Sequence, residues 1–291
     1  RGITGRLEAV AGDLIFFIGR EGEVCRWFEV KRGKNGMVVR LCSSPLEVAA
    51  SLKRTLFDAF RTVVVTSATL AVGERFDYLA RRTGIALLKQ DRVTELLLAS
   101  PFDYEHQAFV GIPADIPEPA SRGFQEALEL ALHQGLAISE GHAFVLFTSY
   151  DLLAKLFGRM AETLKRRGLT PLRQGEVNRH HLLARFRQEP NAVLFGTDSF
   201  WEGVDVQGKA LELVALTRLP FRVPTEPVLE ARAEHIAAGG GDPFMEYMVP
   251  QAVIKFKQGF GRLIRSREDR GAVLILDSRV LTKNYGGHFL R

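Results

Sequence analysis

Runs of apolar residues at 143–147, 192–195, 211–217 and 272–276 are nearly uninterrupted by polar residues. A strand with one wet face alternates apolar and polar side chains, so a continuous run requires cover on both faces. Between these runs lie segments of helical period at 123–139, 152–167, 178–187, 228–238 and 247–256. In the second of them Leu152, Leu153, Leu156, Phe157, Met160 and Leu164 share one stripe, and Ser149 stands where an N-cap is needed. Buried strands alternating with helices predict an α/β fold with a parallel sheet covered on both faces. Ligands of such sheets collect at the carboxyl ends of the strands, which draws attention to Ser67, Thr148, Thr197, Thr217 and Asp277.

The N-terminal part differs in style. Residues 11–18, 23–30 and 37–42 are β-prone runs separated by turn-forming stretches at 19–22 and 31–36, predicting a short antiparallel β meander. Gly33-Lys34 is not a phosphate loop, because Asn35 stands where Ser or Thr is required and the upstream glycine spacing is absent. A helix is expected over 46–60, then a compact β-branched strand over 62–66 running into Ser67-Ala68-Thr69-Leu70. Residues 97–120 are proline-rich and read as a linker with one strand near 107–112, and 170–173 as a further short strand.

With 291 residues, 46% of them hydrophobic and 25% charged, the chain has material for one large or two smaller globular domains. No run approaches the roughly 18 apolar residues of a membrane span, and the N-terminus has no hydrophobic leader, so no membrane association and a cytoplasmic location are expected. Cys25 and Cys42 are too few for a disulfide framework or a four-cysteine cluster, and no metal site is expected in this chain. The formal charge of +5 permits an anionic partner. Lysines and arginines concentrate at 159–187 and 255–270; most belong to solvated helix faces, while a few are placed to reach phosphate.

The second basic stretch contains Gln258-Gly259-Phe260-Gly261-Arg262-Leu263-Ile264-Arg265. Read as the start of a helix, it sets Gln258, Arg262 and Arg265 on roughly one face. One amide and two guanidinium groups so placed form a grip for a nucleotide γ-phosphate, where an arginine can contribute about 10³–10⁵ in rate. A cationic helix face that only salt-bridges to its neighbours is the plainer alternative.

Several segments, taken in order, resemble the later motifs of superfamily 2 helicases: Thr66-Ser67-Ala68-Thr69-Leu70, Phe147-Thr148-Ser149-Tyr150, Arg173-Gln174-Gly175, Gly196-Thr197-Asp198-Ser199-Phe200-Trp201-Glu202-Gly203-Val204-Asp205, and 258–265. Trp201 to Asp205, Ser100-Pro101-Phe102 and Asp277-Ser278-Arg279 narrow the resemblance to the DinG/XPD-like DNA helicases, closest to the bacterial DinG group. The similarity covers most of the chain and implies a RecA-like sheet of the P-loop NTPase type.

The resemblance implies the following roles. Gln258, Arg262 and Arg265 contact the γ-phosphate of ATP across an interdomain cleft, with Gly259 and Gly261 allowing close backbone approach. Glu202, Gly203 and Asp205 lie on the nucleotide side. Thr148, Ser149, Gln174, Thr197 and Ser199 follow the backbone of single-stranded DNA. Thr66, Ser67, Ala68 and Thr69 couple nucleotide state to strand movement. Capping explains Ser149 and the Thr66 to Thr69 segment nearly as well, a turn explains Asp205, and Trp201 reads as a core aromatic. The implied partners are ATP, single-stranded DNA and duplex junctions, with 5′-to-3′ movement in repair or replication stress.

No Gly-x-x-x-x-Gly-Lys-Ser/Thr loop and no Asp-Glu-x-His box occur in the sequence, so the ligands of Mg²⁺ are expected outside this chain. The family's iron–sulfur cysteines are likewise not in it, which leaves such a cluster to the parent protein. The expected organisation is a piece of a longer helicase, with 1–96 the end of a first RecA-like domain and 97–291 the second. Two alternatives stay open: a non-hydrolysing RecA-like nucleic-acid-binding module, and an RNA-directed helicase of the same superfamily.

Overall fold

A computed structural model describes residues 2–19, 23–33, 36–201, 206, 208–223 and 226–290, with only the main chain of Asp198 and Ser199. In chain order the elements are α1 (Ile3–Ile18), β1 (Val24–Gly33), β2 (Gly36–Pro45), α2 (Ala49–Leu52), α3 (Asp77–Thr83), α4 (Tyr104–Gln107), β3 (Ala108–Gly111), α5 (Phe124–Ile138) and β4 (Ala143–Leu146). There follow α6 (Tyr150–Arg166), β5 (Thr170–Arg173), α7 (Arg179–Gln188), β6 (Ala192–Gly196), α8 (Asp198–Trp201), β7 (Leu213–Leu216), α9 (Pro227–Ala238), α10 (Val249–Phe260), β8 (Gly271–Ile275) and α11 (Arg279–Thr282). They form two compact units. The first takes in Arg1–Ser67, Arg75–Glu95 and Val223–Met248, and the second Ala68–Glu74, Leu96–Arg222 and Val249–Arg291.

The second unit is built on a six-stranded parallel sheet in the order β3-β8-β7-β4-β6-β5. Its middle strand shows why the sequence is apolar without a break: all four residues of β4 are 0% exposed. Ala143 and Val145 join Val193, Phe195, Leu213 and Ala215 on one face, packed under Leu128, Leu132 and Leu136 of α5 and Leu153, Leu156 and Met160 of α6. Phe144 points the other way and meets Phe186 of α7, ring centroids 4.6 Å apart. Two of the helices that follow strands, α6 and α7, begin at side-chain caps. Ser149 Oγ accepts from Leu152 N at 3.3 Å to start α6, and Asn178 Oδ1 accepts from His181 N at 2.9 Å to start α7.

In the first unit β1 and β2 form an antiparallel hairpin whose register runs from Val24↔Pro45 to Gly33↔Gly36. Residues 223–248 belong here through Arg232. Its guanidinium donates to the Leu46 carbonyl at 3.0 Å and to Tyr247 Oη at 2.9 Å, while Arg82 lies over the ring of the buried Tyr247 and pairs with Glu47 at 2.6 Å.

Three expectations are corrected. Residues 11–18 belong to the helix α1, not to a strand: Leu7, Val10, Leu14 and Phe17 recur at spacings of three and four, and a helical period outweighs local β propensity once the whole segment is taken together. The meander is therefore a two-stranded hairpin preceded by a helix, with Phe17 edge-on to Phe28 at 5.3 Å. Residues 62–66 form no strand. β-branched residues need a neighbouring strand to pair with, none lies beside them among the described residues, and Val64 is 81% exposed. Thirdly, the 258–265 segment does not begin a helix. Gln258 sits in the last turn of α10, and the chain turns immediately afterwards, Arg262 N donating to Gly259 O at 3.2 Å and Leu263 N to Phe260 O at 3.1 Å. Two glycines this close together are poor helix formers and end the element there.

Candidate nucleotide and nucleic-acid site

The carboxyl ends of β4, β6 and β5 lie side by side, and the polar residues that follow them come together there. Gln174, the first residue after β5, reaches across to β6: its Oε1 accepts from Thr197 N at 2.6 Å and from Thr197 Oγ1 at 3.1 Å. Tyr150, at the start of α6, donates its hydroxyl to the Gln174 carbonyl at 2.9 Å. Gly175, next in the chain, has φ +97°, and a Cβ there would lie 2.5 Å from the Tyr150 hydroxyl, so only glycine serves. Gln174, Thr197 and Tyr150 are thus held together, and with Thr148 and Ser149, which precede Tyr150 in the chain, they make up a polar ledge. Short hydroxyl and amide groups on such a ledge suit phosphates of a single strand, which they can follow without reading bases. Thr217, by contrast, is fully buried and bonded through Oγ1 to the Leu146 carbonyl at 2.9 Å, so it closes the sheet and faces no ligand.

A hydrogen-bonded path leads from this ledge to the arginines beyond α10. The indole of the fully buried Trp201 donates to the Phe147 carbonyl at 3.1 Å, and the Trp201 carbonyl accepts from Arg262 Nε at 3.1 Å. Trp201 is the core aromatic its sequence suggested. It also explains Gly259, where a Cβ would meet the indole ring at 2.7 Å: the glycine admits the tryptophan. Arg262 is itself 9% exposed, a buried cation held by main-chain oxygen.

Arg265 is positioned differently. Asp269 accepts from Arg265 N and Ser266 N, both at 2.8 Å, folding the loop back on itself. Gln107 then fastens it from β3's entry, donating to the carbonyls of Ser266 and Asp269 at 2.9 Å each. Sequence reasoning missed Gln107 because it lies 159 residues from Ser266 and carries no local signature. A cluster at the ends of β7 and β8 was only partly anticipated. The fully buried Asp277 accepts from Leu219 N at 2.8 Å and grips Arg279 at 2.9 and 2.6 Å. Burial opposes the Arg279 charge, yet the bonds and attraction of Asp277 outweigh it and raise its pKa. Arg218 moves the other way, lowered by burial and by the nearby Arg279.

Gln258 lines a groove of about 270 Å³ with Pro220, Arg222, Gln251, Ile254 and Lys255. Its Oε1 is buried and accepts no hydrogen bond among the described residues. An amide beside cationic side chains has the chemistry to contact an anionic group such as phosphate. Among the described residues no three His, Cys, Asp or Glu converge. Thr66 and Ser67 fall in the first unit and Ala68 and Thr69 in the second. No helix follows them until α3 at Asp77, which removes the capping explanation. Glu202, Gly203 and Asp205 lie outside the described residues, as does the Ser199 side chain.

Comparison with known proteins bears on the family and the fold. Residues 132–291 match the family model of the helicase C-terminal domain. The chain is 40% identical over 268 residues to the ATP-dependent DNA helicase YoaA of Haemophilus influenzae, covering 92% of this chain and 40% of that protein. It is 38% identical over 267 residues to the ATP-dependent DNA helicase DinG of Photobacterium profundum, covering 90% of this chain and 38% of the relative. The chain thus spans about two fifths of the length of these relatives. Among solved structures, an XPD helicase superposes with a TM-score of 0.63 at 17% identity, over 86% of this chain and 45% of that one, a likeness of fold. A RecA-like sheet, the motif order and these matches together establish that the chain belongs to the helicase C-terminal domain family, within the DinG/XPD-like group of superfamily 2.

Proposed function

We propose that this chain is the arginine-bearing half of an ATP-dependent DNA helicase, which moves along single-stranded DNA as two RecA-like domains close and open. On this reading residues 1–96 are the end of the first such domain and 97–291 the second. ATP, when bound, supplies the free energy through its γ-phosphate. Gln258 and Arg265 hold that phosphate, Arg262 braces them from within, and Glu202, Gly203 and Asp205 complete the nucleotide side. Thr148, Ser149, Gln174, Thr197 and Ser199 follow the strand, and Thr66 to Thr69 couple the two events.

The observation that carries this reading is the path Arg262–Trp201–Phe147. It ties the arginine loop to the end of β4, from which Thr148 and Ser149 follow, through two hydrogen bonds of 3.1 Å. On this reading a shift of the loop on phosphate contact reaches the DNA ledge through these two bonds. The YoaA and DinG relatives, named as ATP-dependent DNA helicases, support the substrate class.

The test is Arg265→Ala in the full-length protein. DNA-stimulated ATP hydrolysis is expected to fall by about 10³-fold or more while single-stranded DNA still binds. Unchanged hydrolysis would reject the assignment. Matched DNA and RNA duplexes, compared in unwinding assays, check that DNA is the substrate.

A further inference from the structure

We propose that Tyr150 is a stacking platform for one base of the bound single strand. This inference rests on the reading of the β4, β6 and β5 ends as a DNA ledge, and adds to it a contact with a base where the other groups meet phosphate.

Tyr150 is 51% exposed although it stands beside Ser149 at the edge of a well-packed sheet. Its exposure is not that of a loose side chain. The hydroxyl is tethered to the Gln174 carbonyl at 2.9 Å, and Gly175 leaves the space the hydroxyl occupies, since a Cβ at 175 would stand 2.5 Å away. The tether ends on the residue whose side chain holds Thr197 through bonds of 2.6 and 3.1 Å. The ring is therefore fixed relative to the phosphate-following groups, with much of its surface open to solvent.

A fixed aromatic surface suits stacking. Little rotamer freedom remains to be lost when a base settles on it. Every base has a π-face, so the contact tolerates any sequence, as a protein that moves along a strand requires. The hydroxyl tether alone accounts for where the tyrosine sits but not for why its ring is left uncovered. A purely structural tether predicts that loss of Tyr150 weakens the fold and all binding alike; a platform predicts a loss that depends on the presence of a base.

The experiment measures binding of the full chain to oligothymidine and to an oligonucleotide of the same length whose sugars lack bases. Tyr150→Ala is expected to weaken oligothymidine binding by about 5- to 100-fold and to leave binding of the base-free strand unchanged. Tyr150→Phe, which keeps the ring, is expected to retain most of the affinity. Equal affinities of wild type and Tyr150→Ala for oligothymidine overturn the proposal, as does an equal loss on both strands. Should Tyr150→Ala not fold, a strand carrying 2-aminopurine decides with the wild-type chain: quenched emission on binding supports stacking, and emission unaltered at every position overturns it. If the wild-type chain binds neither strand, the DNA ledge itself falls; if it binds both and the tyrosine variants match it, the platform alone falls.

Discussion

The indole nitrogen of Trp201 donates to the main-chain carbonyl of Phe147 at 3.1 Å, and neither residue has any surface in water. Replacing the tryptophan by phenylalanine leaves that carbonyl without its partner and opens a void against Gly259. Trp201→Phe is expected to cost about 1–3 kcal/mol for the unpaired group, more with the void, seen as a drop of several degrees in Tm. Single-stranded DNA affinity is expected to fall with it, because Thr148 and Ser149 follow directly from Phe147. A variant that melts and binds like wild type would remove Trp201 from the connection.

Gln107 gives a second test. Its amide closes the 265–269 loop on the carbonyls of Ser266 and Asp269, and its Oε1 accepts from Asp103 N at 2.9 Å. Gln107→Ala removes all three bonds from a site only 4% exposed. Amide hydrogen exchange over 265–270 is expected to accelerate, and ATP hydrolysis in the full-length protein to fall, with α6 unaffected. Exchange confined to its wild-type rate would show that Asp269 alone suffices.

Asp277 and Arg279 form the most fully buried ion pair described, with side-chain exposures of 0% and 24%. Taking away the carboxylate strands a cation and two main-chain donors at the ends of β7 and β8. Asp277→Ala is expected to destabilise by about 3–5 kcal/mol, measured by denaturant unfolding. Asp277→Asn, which keeps one acceptor, should lie between it and wild type.

His133 supplies a pH dependence. Burial first, then the nearby Arg167, lowers its pKa in the folded state. The unfolded chain therefore takes up a proton before the folded one does, and stability falls as pH drops below the ordinary histidine value of about 6.5. The fall continues until the depressed folded pKa is passed. Between pH 7.5 and 5.5 the wild-type unfolding midpoint should decline more than that of His133→Gln; parallel declines would assign the effect to other groups.

The strands of the second unit were legible because a continuous apolar run has one physical use, burial from both sides, and the runs beginning at 143 and 192 fall as strands where their sequence places them. The Ser149 cap was legible for the same local reason: it needs only the next few residues to act. What depended on distant residues was not. The Gln107 bonds, the Trp201 carbonyl waiting for Arg262, and the lack of a strand partner for 62–66 are set by tertiary placement. The helix over α1 was lost by beginning the segment at Ala11, inside a period that starts at Ile3. The arginine motif was recognised by its residues, while its place beyond the end of α10 follows from where the helix stops.

The chain passes between its two compact units after residues 67, 74, 95, 222 and 248. On a ribosome, the hairpin and α1 emerge early, but Arg232 and Tyr247, which bind Leu46 and stack with Arg82, emerge only after five of the six sheet strands. The unit whose first segments emerge earliest is thus not complete until Met248 has been made. Its early segments must wait, with side chains that end up buried, such as Cys25, still uncovered, until more than half of the second unit has been made. That order gives the nascent chain a long interval in which holding chaperones have something to bind.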